Sequence, residues 1–237
     1  MLDRNPARAI VVGASSGLGL EIARQLLEAG WRVALLARNV EPMMALGGDS
    51  LVFEHDVTDF AAIPALFLQV TQELGGLDAV FYVAGVMPAI THTEYNFEKD
   101  SSMIQVNCMG AVAWLNEAAT RFSRIGEGTI IAIGSVAGER GRLGQPVYNA
   151  SKSFVNTYTE SLRNRLPQIK VTTFKPGPVE TPLTAHLDIK KMSVEVAARK
   201  VIAGMHSGRE LFLSPVHKVI FTIIRNIPSG IFRRLKL

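Results

Sequence analysis

Seven short stretches of this chain are apolar at almost every position, and the apolar residues between them fall at helical spacing. The stretches are Ala9–Val12, Val33–Leu36, Leu51–Phe53, Asp78–Ala84, Thr129–Ile133, Val171–Phe174 and Glu210–Leu213. A strand with apolar side chains on both sides of its pleat has to be covered on both faces. Regular alternation with helices then implies a parallel sheet with helices on each side. The expected fold class is α/β, a doubly wound parallel sheet in one domain spanning 1–237. Leu18, Ile22, Leu26 and Ala29 share one helix face, and Gly30 stops that helix. Asp59 is the expected N-cap of a helix running to about Leu74, with Pro64 implying a kink or a late start. Further helices are expected at about 101–124, 146–166 and 193–206, the last capped by Ser193.

Hydrophobic residues form 48% of the 237, too many for a disordered chain. The only cysteine, Cys108, rules out an internal disulfide framework and reads as a small buried hydrophobe in a cytoplasmic protein. The apolar run at 9–12 is too short for a signal or a membrane span. The 25 Lys+Arg and 21 Asp+Glu are mixed along the chain, so no nucleic-acid stripe is expected. The five histidines lack metal-ligand spacing, and no metal is expected. One region is biased: Arg225, Arg233, Arg234 and Lys236 crowd the end, interleaved with Ile227, Ile231, Phe232 and Leu235. For this C-terminal extension, 216–237, three readings stand: packing on the domain or a partner subunit, peripheral membrane contact, or a flap over the substrate.

In doubly wound sheets, ligands bind beyond the carboxyl ends of the strands. The first strand is followed by Gly13-Ala-Ser15-Ser16-Gly17-Leu18-Gly19. Glycines there let the backbone approach a pyrophosphate, and the helix that follows offers unpaired N–H groups and a positive dipole end. The second strand is followed by Ala37-Arg38 where a ribose-binding carboxylate would stand, roughly 20 residues past the loop. A guanidinium there pairs with a 2′-phosphate, which favours NADP(H) over NAD(H); the alternative is a solvated arginine. Ser15 and Ser16 add hydroxyls to the same site. Asp56 ends the third strand, either accepting from an adenine amino group or holding a turn.

Tyr148 and Lys152 are four residues apart in a helical stretch and share a face. A neighbouring ammonium favours the phenolate, bringing a tyrosine closer to useful proton transfer. Tyr95 and Lys99 have the same spacing but lie in a polar stretch, so they read as surface or loop residues. Tyr148 differs because Ser135 ends an apolar strand thirteen residues upstream.

With these residues in order, the chain resembles the short-chain dehydrogenase/reductase family over nearly its whole length. The family's glycine motif corresponds to Gly13–Gly19, its catalytic Ser–Tyr–Lys set to Ser135, Tyr148 and Lys152, and its helix asparagine to Asn107. Its proline-glycine turn corresponds to Pro176-Gly177, with Val179 and Thr181 in the positions that hold the nicotinamide carboxamide. Tyr82-Val83-Ala84-Gly85 departs from the family's Asn-Asn-Ala-Gly, with Ala84 and Gly85 still at the cofactor. The resemblance implies a Rossmann-like oxidoreductase that moves hydride between a nicotinamide and a carbonyl or alcohol. Tyr148 would exchange the proton, Ser135 would orient the carbonyl, and Lys152 would bind the ribose and lower the tyrosine pKa. Asn107 would hold a relay water. Residues 182–192 would form the substrate loop, with Met87, Pro88, Val136, Pro178 and Leu183 around an apolar substrate. A homodimer or homotetramer is implied, with helices 101–124 and 146–166 pairing between subunits. Two other readings stand beside this one: a non-catalytic NADP-binding sensor or scaffold, and a membrane-peripheral reductase of a lipid ketone or aldehyde.

Overall fold

The computed structural model describes residues 6–235; Lys236, the last basic residue of the tail, lies outside them. The chain runs β1 (Arg8–Val12), α1 (Gly17–Glu28), β2 (Arg32–Ala37), α2 (Glu41–Met44), β3 (Ser50–Glu54), α3 (Ile63–Glu73) and β4 (Ala79–Tyr82). There follow α4 (Phe97–Met103), a π-helical segment (Ile104–Gly110), α5 (Ala111–Ile125), β5 (Thr129–Ile133) and a short 3-10 turn (Val136–Glu139). The remainder is α6 (Pro146–Arg165), β6 (Lys170–Lys175), α7 (Val194–Gly204), β7 (Glu210–Phe212), α8 (Pro215–Asn226) and α9 (Ser229–Phe232). The seven strands form one sheet in the order β3-β2-β1-β4-β5-β6-β7, every pair parallel.

The pleat divides the apolar runs between two layers. Ile10, Val12, Val80 and Ile130 face one way, onto Phe67 of α3, Trp114 of α5 and Leu162 of α6. Ala9, Val11, Phe81 and Ile131 face the other, onto Ile22 and Leu26 of α1 and Val201 of α7. Successive residues of the central strands are therefore buried on opposite sides, which is why those runs show no polar alternation. The chain leaves β1 toward β2 on one side and returns at β4 on the other. The carboxyl ends of β1 and β4 thus part at the switch point, where a crevice is expected.

Several boundaries differ from the sequence expectation. Asp59 is not the N-cap of α3; the helix begins at Ile63 with Pro64 in its first turn, and Ala62 is the N-cap. Proline is tolerated there because first-turn N–H groups have no partner within the helix, so the late start replaces the kink. The helix expected from residue 101 begins at Phe97, because the Asn96 side chain accepts from Lys99 N (3.1 Å). Lys99 is therefore helical and pairs with Glu94 (2.6 Å), while Tyr95 is 93% exposed. The same expected helix is also broken in register by the π-helical turn. Strand β4 is shorter than 78–84: it spans Ala79–Tyr82, and the chain turns out of the sheet where the Val83 and Ala84 amides both donate to the Val12 carbonyl. Among the described residues, no helix is long and apolar enough to cross a membrane.

Candidate active site

The crevice at the switch point is a cleft of about 390 Å³ along the carboxyl ends of β1, β4, β5 and β6. Gly13 turns the chain out of β1 with φ +90°, and a Cβ on it would sit 2.6 Å from Ala84 N. No residue with a side chain could hold the two loops this close. Gly17 packs on Thr181 from the turn after β6. Ser16 is extended at the start of α1 and makes no side-chain cap, and the first turn carries no acid. The amides at that end therefore face the cleft with their dipole uncompensated. Ser15, Ser16, Leu18 and Gly19 line the same wall.

At the far end, Arg38 leaves β2 with 73% of its side chain exposed, and its guanidinium lies 3.8 Å from Asp56. Asp56 holds a turn: its Oδ1 accepts from the Thr58 amide (2.9 Å) and hydroxyl (2.8 Å), bonds that keep its carboxyl below the usual carboxylate range. The cleft also touches His55, one of the five histidines without metal-ligand spacing and not among the expected site residues. Its Nε2 accepts from Trp114 Nε1 (3.3 Å), and burial lowers its pKa. Only a contact from a distant helix marks it, so its neighbours in sequence give no signal.

Ser135, Tyr148, Lys152, Ala84, Gly85, Pro176, Gly177, Val179 and Thr181 all line this cleft. Ser135 Oγ accepts from Ala137 N (3.0 Å), which closes the 3-10 turn and holds the hydroxyl at the end of β5. Lys152, 4% exposed, donates to the Ile133 carbonyl (3.0 Å), with its Nζ 5.8 Å from the centre of the Tyr148 ring. Burial pushes the Lys152 ammonium down to about 8. Burial pushes the Tyr148 phenol up to about 12, opposed by a hydrogen bond with Ser135 and by the charge of Arg142. Arg142 is thus a second cation bearing on the phenol, beside the Lys152 ammonium, which gives one of its three hydrogens to a backbone carbonyl. Arg142 was unmarked in the sequence because it lies in a loop. Its guanidinium lies over Phe221 of α8, 5.9 Å from the ring centre.

Asn107 stands apart from the cleft wall, buried within the π-helical turn. Its Nδ2 donates to the Val86 carbonyl (3.0 Å) and to Ser151 Oγ (3.0 Å), and its Oδ1 accepts from Val86 N (2.8 Å). Both amide hydrogens are committed, and one Oδ1 lone pair remains for a water. The side chain therefore acts as a brace between the loop after β4 and helix α6. Tyr82, where the family has its first Asn, is both packed and bonded. Its hydroxyl donates to the Val106 carbonyl in the π-helical turn (2.6 Å), and a Cβ on Gly110 would overlap that hydroxyl.

The loop 182–192 opens with a 3-10 turn and is closed at its base by a bridge between Val179 and Met192. Of the five residues expected around the substrate, Leu183 lines the cleft, with Pro182 and Thr184. Met87 instead packs against buried Met103, Ala137 and Tyr148, and Val136 is buried. The carbonyls of Pro88 and Pro178 serve internal bonds, to Gln145 (3.2 Å) and to the Met192 amide (2.9 Å). Cys108 is buried, and burial raises its thiol to about 11.

The short chain dehydrogenase family model matches residues 7–191. An uncharacterized oxidoreductase of Staphylococcus aureus (strain MW2) is 34% identical over 207 residues, covering 83% of this chain and 90% of that protein. A short chain dehydrogenase from Burkholderia cenocepacia J2315 in complex with NADP has the same fold (TM-score 0.86, 22% identity, 98% of each chain). The structure described as ElxO with NADP bound is also similar (TM-score 0.80, 17% identity, 91% of this chain and 100% of that one). With its sheet order, its switch-point cleft and a family match over most of its length, the chain belongs to the short-chain dehydrogenase family of oxidoreductases.

Proposed function

We propose that the protein is an NADP(H)-dependent oxidoreductase of a carbonyl/alcohol pair, acting as a reductase. The observation that carries this reading is the convergence of Ser135, Tyr148 and Lys152 on the wall of one cleft whose far wall is the glycine turn Gly13–Gly19. The residues fit a dinucleotide phosphate. Gly13, Ser15, Ser16, Gly17, Leu18 and Gly19 form a cradle whose glycines keep the backbone close, at an uncapped helix end suited to a pyrophosphate. Arg38 would meet a 2′-phosphate and Asp56 the adenine side. Ala84, Gly85, Pro176, Gly177, Val179 and Thr181 would flank the nicotinamide half. NADP-bound relatives of the same fold support this choice.

When bound, the cofactor supplies the hydride; the chain supplies position and the proton. Ser135 would donate to the substrate oxygen and orient the carbonyl. As that oxygen gains negative charge, Tyr148 would pass it the phenolic proton. A phenol held near 12 keeps that proton at neutral pH, as a reductase needs before the carbonyl reacts. The Lys152 ammonium would bind ribose hydroxyls and hold charge beside the phenol. Asn107 would keep the loop after β4 and helix α6 in register with it. The substrate would enter by Leu183 and the 182–192 loop, and exposed Ile104, Met109 and Phe154 on the central helices support subunit pairing.

In the test, Tyr148→Phe is expected to bind NADPH as the parent chain does, by fluorescence titration, and to lose carbonyl reduction by about 10³-fold or more. Substantial residual turnover would overturn the assignment. Binding NADH as tightly as NADPH would overturn the Arg38 reading.

A further inference from the structure

Helix α8 has two faces and none of its residues is buried. Its inner face holds His217, Phe221 and Ile224, half-buried against the domain. His217 lies so close to the Gly177 turn that a Cβ there would overlap its ring. Val216, Val219, Ile220 and Ile223 form a separate stripe at helical spacing, with Val219 59% and Ile223 60% exposed. Ile231 and Leu235 continue the exposed apolar surface past the helix. Lone apolar residues on a surface are ordinary, but six in one short segment are not.

The helix is held firmly despite this exposure. Arg140 donates to the carbonyls of Ile224 (2.9 Å), Arg225 (3.2 Å) and Ile227, and its guanidinium lies 4.2 Å from the centre of the buried Phe232 ring. Arg225 meets Glu139 (3.5 Å), which in turn pairs with buried Lys175 (2.7 Å). The stripe is therefore a fixed feature that faces outward while His217, Phe221, Ile224 and Phe232 pack inward.

Charge selects the occupant. After Glu210 the chain has no acidic residue, and Lys218, Arg225, Arg233, Arg234 and Lys236 make it wholly cationic. Arg233 and Arg234 are exposed, between Ile231 and Leu235. A second copy of this face would bring like charges together, whereas anionic headgroups above an acyl layer match both the charge and the stripe.

We infer that α8 and the turn after it dock the protein on an anionic lipid surface, with Val216, Val219, Ile220, Ile223, Ile231 and Leu235 at the acyl boundary. This binding is independent of the reaction above. The test is co-sedimentation of the full chain with phosphatidylcholine vesicles and with vesicles of equal parts phosphatidylcholine and phosphatidylglycerol. Binding is expected on the anionic vesicles only, weakening as salt rises. It should fall at least about tenfold in Val219→Glu/Ile223→Glu and in Arg233→Gln/Arg234→Gln. NADPH titration of each variant should match the parent chain, showing that the fold is kept and that lipid binding fails apart from the oxidoreductase reading. A full chain that stays in the supernatant with both vesicles would overturn the inference. Equal binding to neutral vesicles would also overturn it. So would a dimer, seen by sedimentation, that Val219→Glu/Ile223→Glu dissolves.

Discussion

At the scale of single residues, the site sets reactivity against stability. Lys152 is a fully enclosed ammonium whose folded pKa, about 8, lies below the ordinary 10.5. Below about pH 8 both folded and unfolded chains carry the charge, and only the folded one bears the cost of burying it. Between about 8 and 10.5 the unfolded chain holds more protons, so folded stability rises with pH; above that the difference is gone. A shift of this size is on the order of 3 kcal/mol. In the cofactor-free chain, Lys152→Met should therefore raise unfolding free energy at pH 7 by roughly 1–3 kcal/mol. The gain should shrink toward pH 10.5, while carbonyl reduction is lost. Urea unfolding of both chains across that range checks it, and a variant less stable than the parent at pH 7 refutes it. Tyr148 and Lys152 were legible from spacing, but a second cation near the phenol, Arg142, was not. Arg142 reaches it through the loop before α6, a proximity that only the folded chain creates.

Among the elements, the π-helical segment was the one least legible in the sequence. Its residues, Ile104–Gly110, keep an apolar pattern that reads as unbroken α-helix, and a widened turn leaves no mark in spacing. The structure shows what favours it: Tyr82 takes the Val106 carbonyl, and Asn107 reaches across to Val86 and Ser151. The departure from the family's Asn at position 82 is thus matched by Gly110, which leaves room for a phenol. Tyr82→Phe should cost about 1 kcal/mol by removing the phenol's bond to the part-buried Val106 carbonyl. Gly110→Ala should cost more in the parent chain than in Tyr82→Phe, where the overlapping oxygen is gone. A double-mutant cycle by thermal unfolding measures that coupling, and additive losses would refute it. The strands were far easier to read, since burial on both faces leaves few polar residues to blur the central ones. Helix starts were harder. Asn96 and Pro64 act through one local bond and one missing donor, and each moved a boundary by about one turn.

For the whole molecule, the order of glycine turn, strand ends and the helix bearing Tyr148 and Lys152 was readable because each lies at a fixed place in an alternating chain. The tail was not, because its role depends on which face of α8 the domain leaves uncovered. The 3-10 turn Val136–Glu139 begins where Ser135 ends β5, and Glu139 and Arg140 are the tail's polar anchors. Docking on anionic vesicles should therefore slow amide exchange across 136–142 as well as in α8, with α3 unchanged; exchange altered in α8 alone would show the two are uncoupled. Ser135 and the C-terminal helix meet at one short turn, and the same helix is tied to the sheet by its direct connection from β7 and by the Arg225–Glu139–Lys175 chain into β6. The end of the chain most remote in sequence from the glycine turn is thus fastened to the very turn that positions Ser135 in the cleft.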